Sequence, residues 1–262
     1  MKEIRWIEDN ICQYVFLEHE DMPSIDINIT VLINGKSALL IDAAFTPQAL
    51  AVKEDLMSKG MVVDEIILSH YHPDHAAGAT SFPEARLSCS VHYEDNYNRC
   101  SGKWNRDHAY RKPEQTLKSH SQMDYGNFSL TFFEAPGHST CSIITIIESI
   151  DAKDKKIAHV GDLIMSDVDG RPGMPYISIG GNFQEHVESL ELIKTLNIDK
   201  LILAHGEHIE GKETIDKALN MRTHYLKFMI ETGREADLDD ALIGGQKEWA
   251  FTKWHKYNVK HL

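Results

Sequence analysis

The run Ser69-His70-Tyr71-His72-Pro73-Asp74-His75 constrains this chain more than any other stretch. Immediately before it, residues 64–69 (DEIILS) form a short apolar run bounded by turn residues, which reads as a buried strand. His70 and His72 lie two apart where strand gives way to loop, so they point to one side. Pro73 fixes the turn that brings in Asp74 and His75. Imidazoles and a carboxylate packed this densely are natural donors for zinc or iron. In a chain with 15 histidines, composition alone yields H-x-H-x-D-H with a chance of roughly four in a thousand. The competing reading is a solvated polar turn that happens to be rich in histidine.

The same grammar recurs three times: an apolar strand, a small residue or turn, then a donor. Pro136-Gly137-His138-Ser139 follows a strand at 128–133, Gly161-Asp162 follows one at 156–160, and His205-Gly206 follows one at 201–204. A lone histidine at a strand end is usually structural, but three such sites alongside the cluster reinforce one another.

Elsewhere the pattern is layered. Residues 31–33 and 38–41 read as a hairpin around Asn34-Gly35-Lys36, ending at Asp42. Residues 46–59 have helical spacing, with Thr46 as the candidate N-cap and Pro47 at the first helical position, and Gly60 closes the helix. Further strands are expected at 14–17, 28–33, 87–91 and 142–147, and helices at 183–196 and 211–230. The tail after residue 231 has only weak helical periodicity. Strands in both halves, each half ending in helices, indicate an α/β layered domain, and the opening hairpin argues against a purely parallel sheet. Residues 93–122 read as a mobile or helical insertion that acts as a lid over the site or as an interface. There Tyr93, Tyr97, Trp104 and Tyr110 interleave with Arg99, Lys103, Arg106, Arg111 and Lys112.

The ordered motifs SHYHPDHAAG, APGHST, HVGDLI and LAHGEH, with the strand ending in Asp42 before them, resemble the metallo-β-lactamase superfamily over roughly residues 28–206. The resemblance implies an αββα sandwich, two mixed sheets between helices, with the metal site along one edge. It places the fold domain at 1–210 and a helical extension at 211–262. It implies that His70, His72 and His138 hold a first metal, that Asp74, His75 and His205 hold a second, and that Asp162 bridges the two. Asp42 would orient a ligand histidine. Two divalent ions are then expected, zinc first, with iron or manganese as alternatives. They would activate a bridging water or hydroxide, with Asp74 as catalytic residue accepting or aligning its proton.

Within the superfamily, Asp162 speaks against β-lactam hydrolysis and His72 against flavodiiron proteins, which carry Glu there. Met165, where acyl-homoserine lactonases carry tyrosine, weakens that assignment, and Ala43-Ala44 replaces the usual Thr-Gly. What remains resembles glyoxalase II and lactonases: hydrolysis of a small thioester, lactone or other ester. The alternatives are a mononuclear iron enzyme of the persulfide dioxygenase type and a phosphodiesterase of the same superfamily. Lys212, Lys217, Arg222, Lys227 and Arg234 could form a glutathione cradle or simply a solvated helix face. Tyr176 and Phe183 are further candidates to line the pocket. His92, His108, His120, His159, His186 and His208 match no ligand position.

Composition sets the outer limits. A net charge of −13 disfavours nucleic acid and any partner gripped through phosphates. No G-x-G-x-x-G follows a strand, and neither a P-loop nor a G-x-S-x-G is present. The four cysteines lie far apart, so reduced, buried thiols are expected. No signal peptide or membrane span is visible, which gives a cytoplasmic expectation. The partner is a small-molecule substrate, with no nucleic acid or membrane, and a homodimer remains open.

Overall fold

The computed structural model describes residues 1, 3–17, 25–104, 108–151 and 155–262. Arg106 and the side chains of Lys103 and Trp104, named in the insertion above, lie outside the described residues. Strands β1 (Glu3–Glu8), β2 (Ile11–Leu17), β3 (Asp26–Asn34), β4 (Ser37–Ile41), β5 (Val62–Ile67), β6 (Arg86–Ser90) and β7 (Gln115–Leu117) lie side by side in that order. Pairing is antiparallel from β1 to β4 and parallel from β4 to β7. The second sheet contains β8 (Gln122–Tyr125), β9 (Phe128–Glu134), β10 (Ile143–Ser149), β11 (Lys156–His159), β12 (Lys200–Ile202) and β13 (Ile209–Glu210), also in chain order across the sheet. Only β11 and β12 pair in parallel there. Both sheets are therefore mixed, as expected.

Alternation along the strands builds four layers. Leu32, Leu39, Ile41 and Ile67 point inward to meet Leu130, Phe132, Ile143 and Ile147 of the other sheet. Their neighbours Val31, Leu40 and Ile66 pack outward against Ala49, Val52 and Leu56 of α1 (Thr46–Ser58). On the far side, Ile144 and Ile146 pack against Leu190 and Ile193 of α4 (Phe183–Thr195) and Leu219 and Leu226 of α5 (Lys212–Thr232). Strands buried on both faces lose polar alternation, which is why they read as plain apolar runs.

Two local expectations are corrected. Helix α1 starts at Thr46 itself, with Phe45 in the cap position and no side-chain cap bond; Pro47 still sits in the first turn. The 93–122 stretch is not wholly an excursion: β7 closes the edge of the first sheet, and Gln122 opens β8. Its polar composition reflects two edge strands. Helices α2 (Pro73–Ala76) and α3 (Glu94–Arg99) flank the histidine-rich loop and the start of that stretch. The tail folds into short helices, α6 (Leu238–Ala241) and α7 (His255–Asn258) among them, and buries Ala241, Leu242 and Trp249 in the α4–α5 core. No helix among the described residues is long and apolar enough to cross a membrane. All four cysteines are buried and unpaired.

A polar tie joins the two sheets. Lys200 on β12, 5 % exposed, donates from Nζ to the Ile7 carbonyl at 3.0 Å and to Glu8 Oε1 at 2.7 Å. The Lys200 hydrogen bond holds the Glu8 carboxyl below its usual value of 4.5 against the opposing effect of burial. A carboxylate with a depressed folded pKa stabilises fully above its unfolded value and loses that contribution as pH falls through the folded value. Glu8→Gln is accordingly expected to lower stability by about 1–3 kcal/mol at pH 7. Urea titrations of the two proteins should converge once the pH is low enough to protonate Glu8 in both states. A gap that persisted in acid would assign the loss to packing.

Candidate metal centre

Strand ends from both sheets meet at one edge of the sandwich. The β4 end carries Asp42, the β5 end His70 to His75, the β9–β10 loop His138, the β11 end Asp162 and the β12 end His205. Backbone bonds across the sheets hold this edge together: Ile143 N donates to Ser69 O at 2.8 Å, and Asn28 N to Ala204 O at 2.9 Å. Gly137, at φ +138°, lies so close to α4 that a Cβ there would stand 2.2 Å from His186 Cα. Only glycine lets the His138 loop pack this tightly.

Asp42 organises the floor. Its Oδ1 accepts from Ser69 N at 2.7 Å, and its Oδ2 accepts from Ser69 Oγ at 2.8 Å and from His75 Nδ1 at 2.9 Å. With its own proton given to Asp42, Ser69 Oγ accepts from His70 Nδ1 at 3.1 Å. His138 Nδ1 donates to Tyr176 O at 2.8 Å, and His205 Nδ1 to Asp26 O at 2.5 Å. These outer partners fix the tautomers. Each of the four rings is left with Nε2 turned inward.

The inward atoms form two groups. His70, His72, His138 and Asp162 make one, and Asp74, His75 and His205 the other, with the donor atoms of each group within 4.8 Å of one another. His72 Nδ1 stands 2.9 Å from His70 Nε2 and 3.1 Å from His138 Nε2. Asp162 turns one oxygen to each group: Oδ2 is 3.4 Å from His138 Nε2, and Oδ1 is 3.4 Å from both His75 Nε2 and His205 Nε2. Asp74 Oδ2 lies 3.5 Å from His205 Nε2 and 3.7 Å from His75 Nε2. The structure thus brings together all seven residues singled out in the sequence.

The electrostatics divide along the same line. Burial first, then neighbouring imidazoles, hold His70 well below the usual histidine range and His72 down to about 3. Burial would do the same to His75 and His205, but the Asp162 and Asp74 carboxylates reverse it. His75 lies well above its usual range, and His205 is pushed up to about 10. Asp162 stays far below the ordinary carboxylate range despite burial, held there by His205 and His75. One group therefore excludes protons and the other gathers positive charge. His75 Nε2 and Asp162 Oδ1 are buried and face each other at 3.4 Å, and neither makes a hydrogen bond, a costly state unless a further group satisfies them. Converging imidazole nitrogens, an unpartnered buried carboxylate oxygen and carboxylates seeking positive charge fit divalent metal ions.

Above the donors lies a cavity of about 370 Å³. Its walls include Ile25, Met165, Tyr176, Ile179 and Trp254, with Asn96, Arg99 and Cys100 from α3 and its end. Tyr176 lines it as expected, whereas Phe183, the first residue of α4, is buried in the core between α4 and α5 instead. None of Lys212, Lys217, Arg222, Lys227 and Arg234 lines this cleft, so of the two readings of these bases the cradle is not formed there. Arg222 is buried, donating to Met165 O and to Ala218 O. Lys227 faces Glu191, and Arg234 donates to the Leu262 carbonyl. Of the unmatched histidines, His92 is exposed and pairs with Glu134, while His159 and His186 are buried. Trp254 and Asn96 were not anticipated; Trp254 lies in a tail whose weak periodicity gave no signal.

The family model of the metallo-beta-lactamase superfamily matches residues 25–205, more than half of the chain. A hydroxyacylglutathione hydrolase of Hyphomonas neptunium is 24 % identical over 182 residues, covering 70 % of this chain and 63 % of that protein. The chain thus spans just under two thirds of that relative's length. A hydroxyacylglutathione hydrolase of Cereibacter sphaeroides is 22 % identical over 214 residues, covering 82 % and 76 % respectively. Among solved structures, a metallo-beta-lactamase from Pontibacter korlensis superposes with a TM-score of 0.67 at 13 % identity, over 83 % of this chain and 97 % of that one. That likeness concerns the fold.

Proposed function

Because this chain belongs to the metallo-beta-lactamase superfamily, we propose that it is a metal-dependent hydrolase with a dinuclear site that cleaves a small thioester, lactone or related ester. The observation that carries the reading is the division of Asp162, one oxygen toward each donor group. His70, His72 and His138 would hold one ion, Asp74, His75 and His205 the other, and Asp162 both. Bound there, divalent ions supply Lewis acidity, polarising the scissile carbonyl and making hydroxide available from water near neutral pH. Zinc is the first choice for this nitrogen and oxygen donor set.

The chain's own residues do the rest. Asp74, with its side chain 26 % exposed toward the cleft, is held below the ordinary carboxylate range: burial opposes the shift, and His75 and His205 impose it. It is therefore ionised at neutral pH and placed to take or align the proton of the attacking water. Asp42, Ser69, Tyr176 O and Asp26 O keep the imidazoles oriented throughout. A covalent route through a cleft nucleophile lacks support. Burial pushes the Cys100 thiol up to about 12, and Ser178 Oγ is spent on the His138 carbonyl.

Elemental analysis of protein purified without chelator or added metal tests the reading, alongside a panel of thioesters and lactones. Nearly two divalent ions per chain, zinc foremost, and hydrolysis abolished by chelation are expected. One iron per chain, with no second ion taken up on titration and oxygen consumed with persulfides, would overturn it in favour of the oxygenase.

A further inference from the structure

We infer that the substrate of this cleft is a compact ester or thioester that carries an apolar, flat group and a single anionic group, and that Arg99 is the residue that reads the anion. The inference rests on the hydrolase reading above and adds the chemical class of what is hydrolysed.

Two features of the cavity carry it. The first is its apolar side. Tyr176 and Trp254 meet with ring centroids 5.3 Å apart at 48°, and Ile25, Met165 and Ile179 continue the wall. A surface of this kind gains from covering a ring or branched carbon group and offers little to a polar chain. At about 370 Å³, the space sits at the low end for ligand pockets, so the group it covers is small.

The second is the lone cation. Arg99, at the end of α3, is the one arginine or lysine among the described residues that line the cavity. A guanidinium presents five N–H donors, and the contact described for Arg99 is donation to the Ile179 carbonyl. Four other arginines are neutralised: Arg5 pairs with Glu3, Arg86 with Glu65, Arg111 with Glu114 and Arg171 with Asp167; Arg222, which has no carboxylate either, is buried away from the cavity. Among the described residues no carboxylate pairs with Arg99. The carboxylates within the cavity, Asp74 and Asp162, belong to the donor groups on its floor. On the wall above those groups the guanidinium is a short-range fork suited to a carboxylate or phosphate. The alternative is that Arg99 is only a strap holding α3 to the loop around Ile179.

A matched substrate pair separates the two, assayed with the metal-loaded enzyme: S-(4-carboxyphenyl) thioacetate and its neutral isostere, S-(4-carbamoylphenyl) thioacetate. The wild type is expected to favour the carboxylate in kcat/KM by about tenfold or more. Arg99→Met should abolish that preference through KM, leaving the carboxamide within about twofold, and Arg99→Lys should retain part of it. Equal kcat/KM for the pair in the wild type, or a proportional loss on both in Arg99→Met, would overturn the inference and leave a strap. Should neither thioester nor any ester of the wider panel be cleaved, the hydrolase reading falls separately. Arg99 is then judged by binding of 3-phenylpropanoate against 3-phenylpropanamide, followed by tryptophan fluorescence. Tighter binding of the acid that disappears in Arg99→Met upholds the anion site, and indifference to the substitution removes it.

Discussion

Asp162→Asn is expected to reduce bound metal from nearly two ions per chain to one or fewer and to lower thioester turnover by about 10³-fold or more. The carboxylate is 7 % exposed. It gives Oδ2 to the His138 side at 3.4 Å and Oδ1 to His75 and His205 at 3.4 Å. Asparagine keeps the shape but has one neutral oxygen, and its amide group must point N–H donors at one of the two clusters. That cluster loses a charged ligand and gains a group that repels a cation. The rate estimate follows from losing one Lewis-acidic ion: several kcal/mol of transition-state stabilisation, where about 4 kcal/mol corresponds to roughly 10³ in rate. Elemental analysis and turnover, measured on variant and wild type purified in parallel, check both halves. Full activity with a single ion retained would show that the two groups do not act as one site.

Much of this edge is legible in the sequence, and the reason is local. Each donor follows an apolar strand, and a strand's C-terminal end is where chain direction and sheet edge jointly decide what faces the cleft. His70, His138, Asp162 and His205 could therefore be read from their immediate neighbours. Asp42 was legible for the same reason. Residues acting from a distance were not. Trp254 and Asn258 lie in a segment whose helices are four residues or shorter, too short for a period to emerge. Strands β7 and β8, three and four residues long, were submerged in a polar stretch because edge strands need bury little. Arg222 looked like one of several evenly spaced bases on a solvated face, yet it is 1 % exposed. The signal was its register: Arg222 lies on the buried stripe Ile215, Leu219, Leu226 and Met229 of α5, whereas Lys217 and Lys227 lie off it.

Asn258 gives the second large effect, and it ties the C-terminal tail to the candidate metal centre. The side chain is fully buried. Its Nδ2 donates to Pro175 O at 2.7 Å and to Tyr225 Oη at 2.9 Å, and its Oδ1 accepts from Ile177 N at 3.1 Å. Tyr225 Oη in turn reaches His255 Nδ1 at 3.1 Å, and His255 Nε2 donates to Ala236 O at 3.0 Å. The two backbone groups held by Asn258 flank Tyr176, whose carbonyl accepts from His138 Nδ1 at 2.8 Å. Asn258 therefore clamps the peptide that orients a donor of the first group. Asn258→Ala frees that peptide and leaves Ile177 N–H and Pro175 O buried without partners, so a stability loss of about 2 kcal/mol is expected. Affinity for the metal at the first group should fall about 10–100-fold, the usual scale for losing an outer partner of a ligand histidine. Stability alone does not separate a clamp from an ordinary core residue. Leu219→Ala, in the same core and 0 % exposed, is the control, expected to cost about 2–5 kcal/mol through its cavity. Competition with a chelator of known affinity should find Leu219→Ala near wild type and Asn258→Ala displaced. If both lost metal in proportion to their loss of stability, His138 would depend on the rigidity of the whole second sheet and not on this one amide.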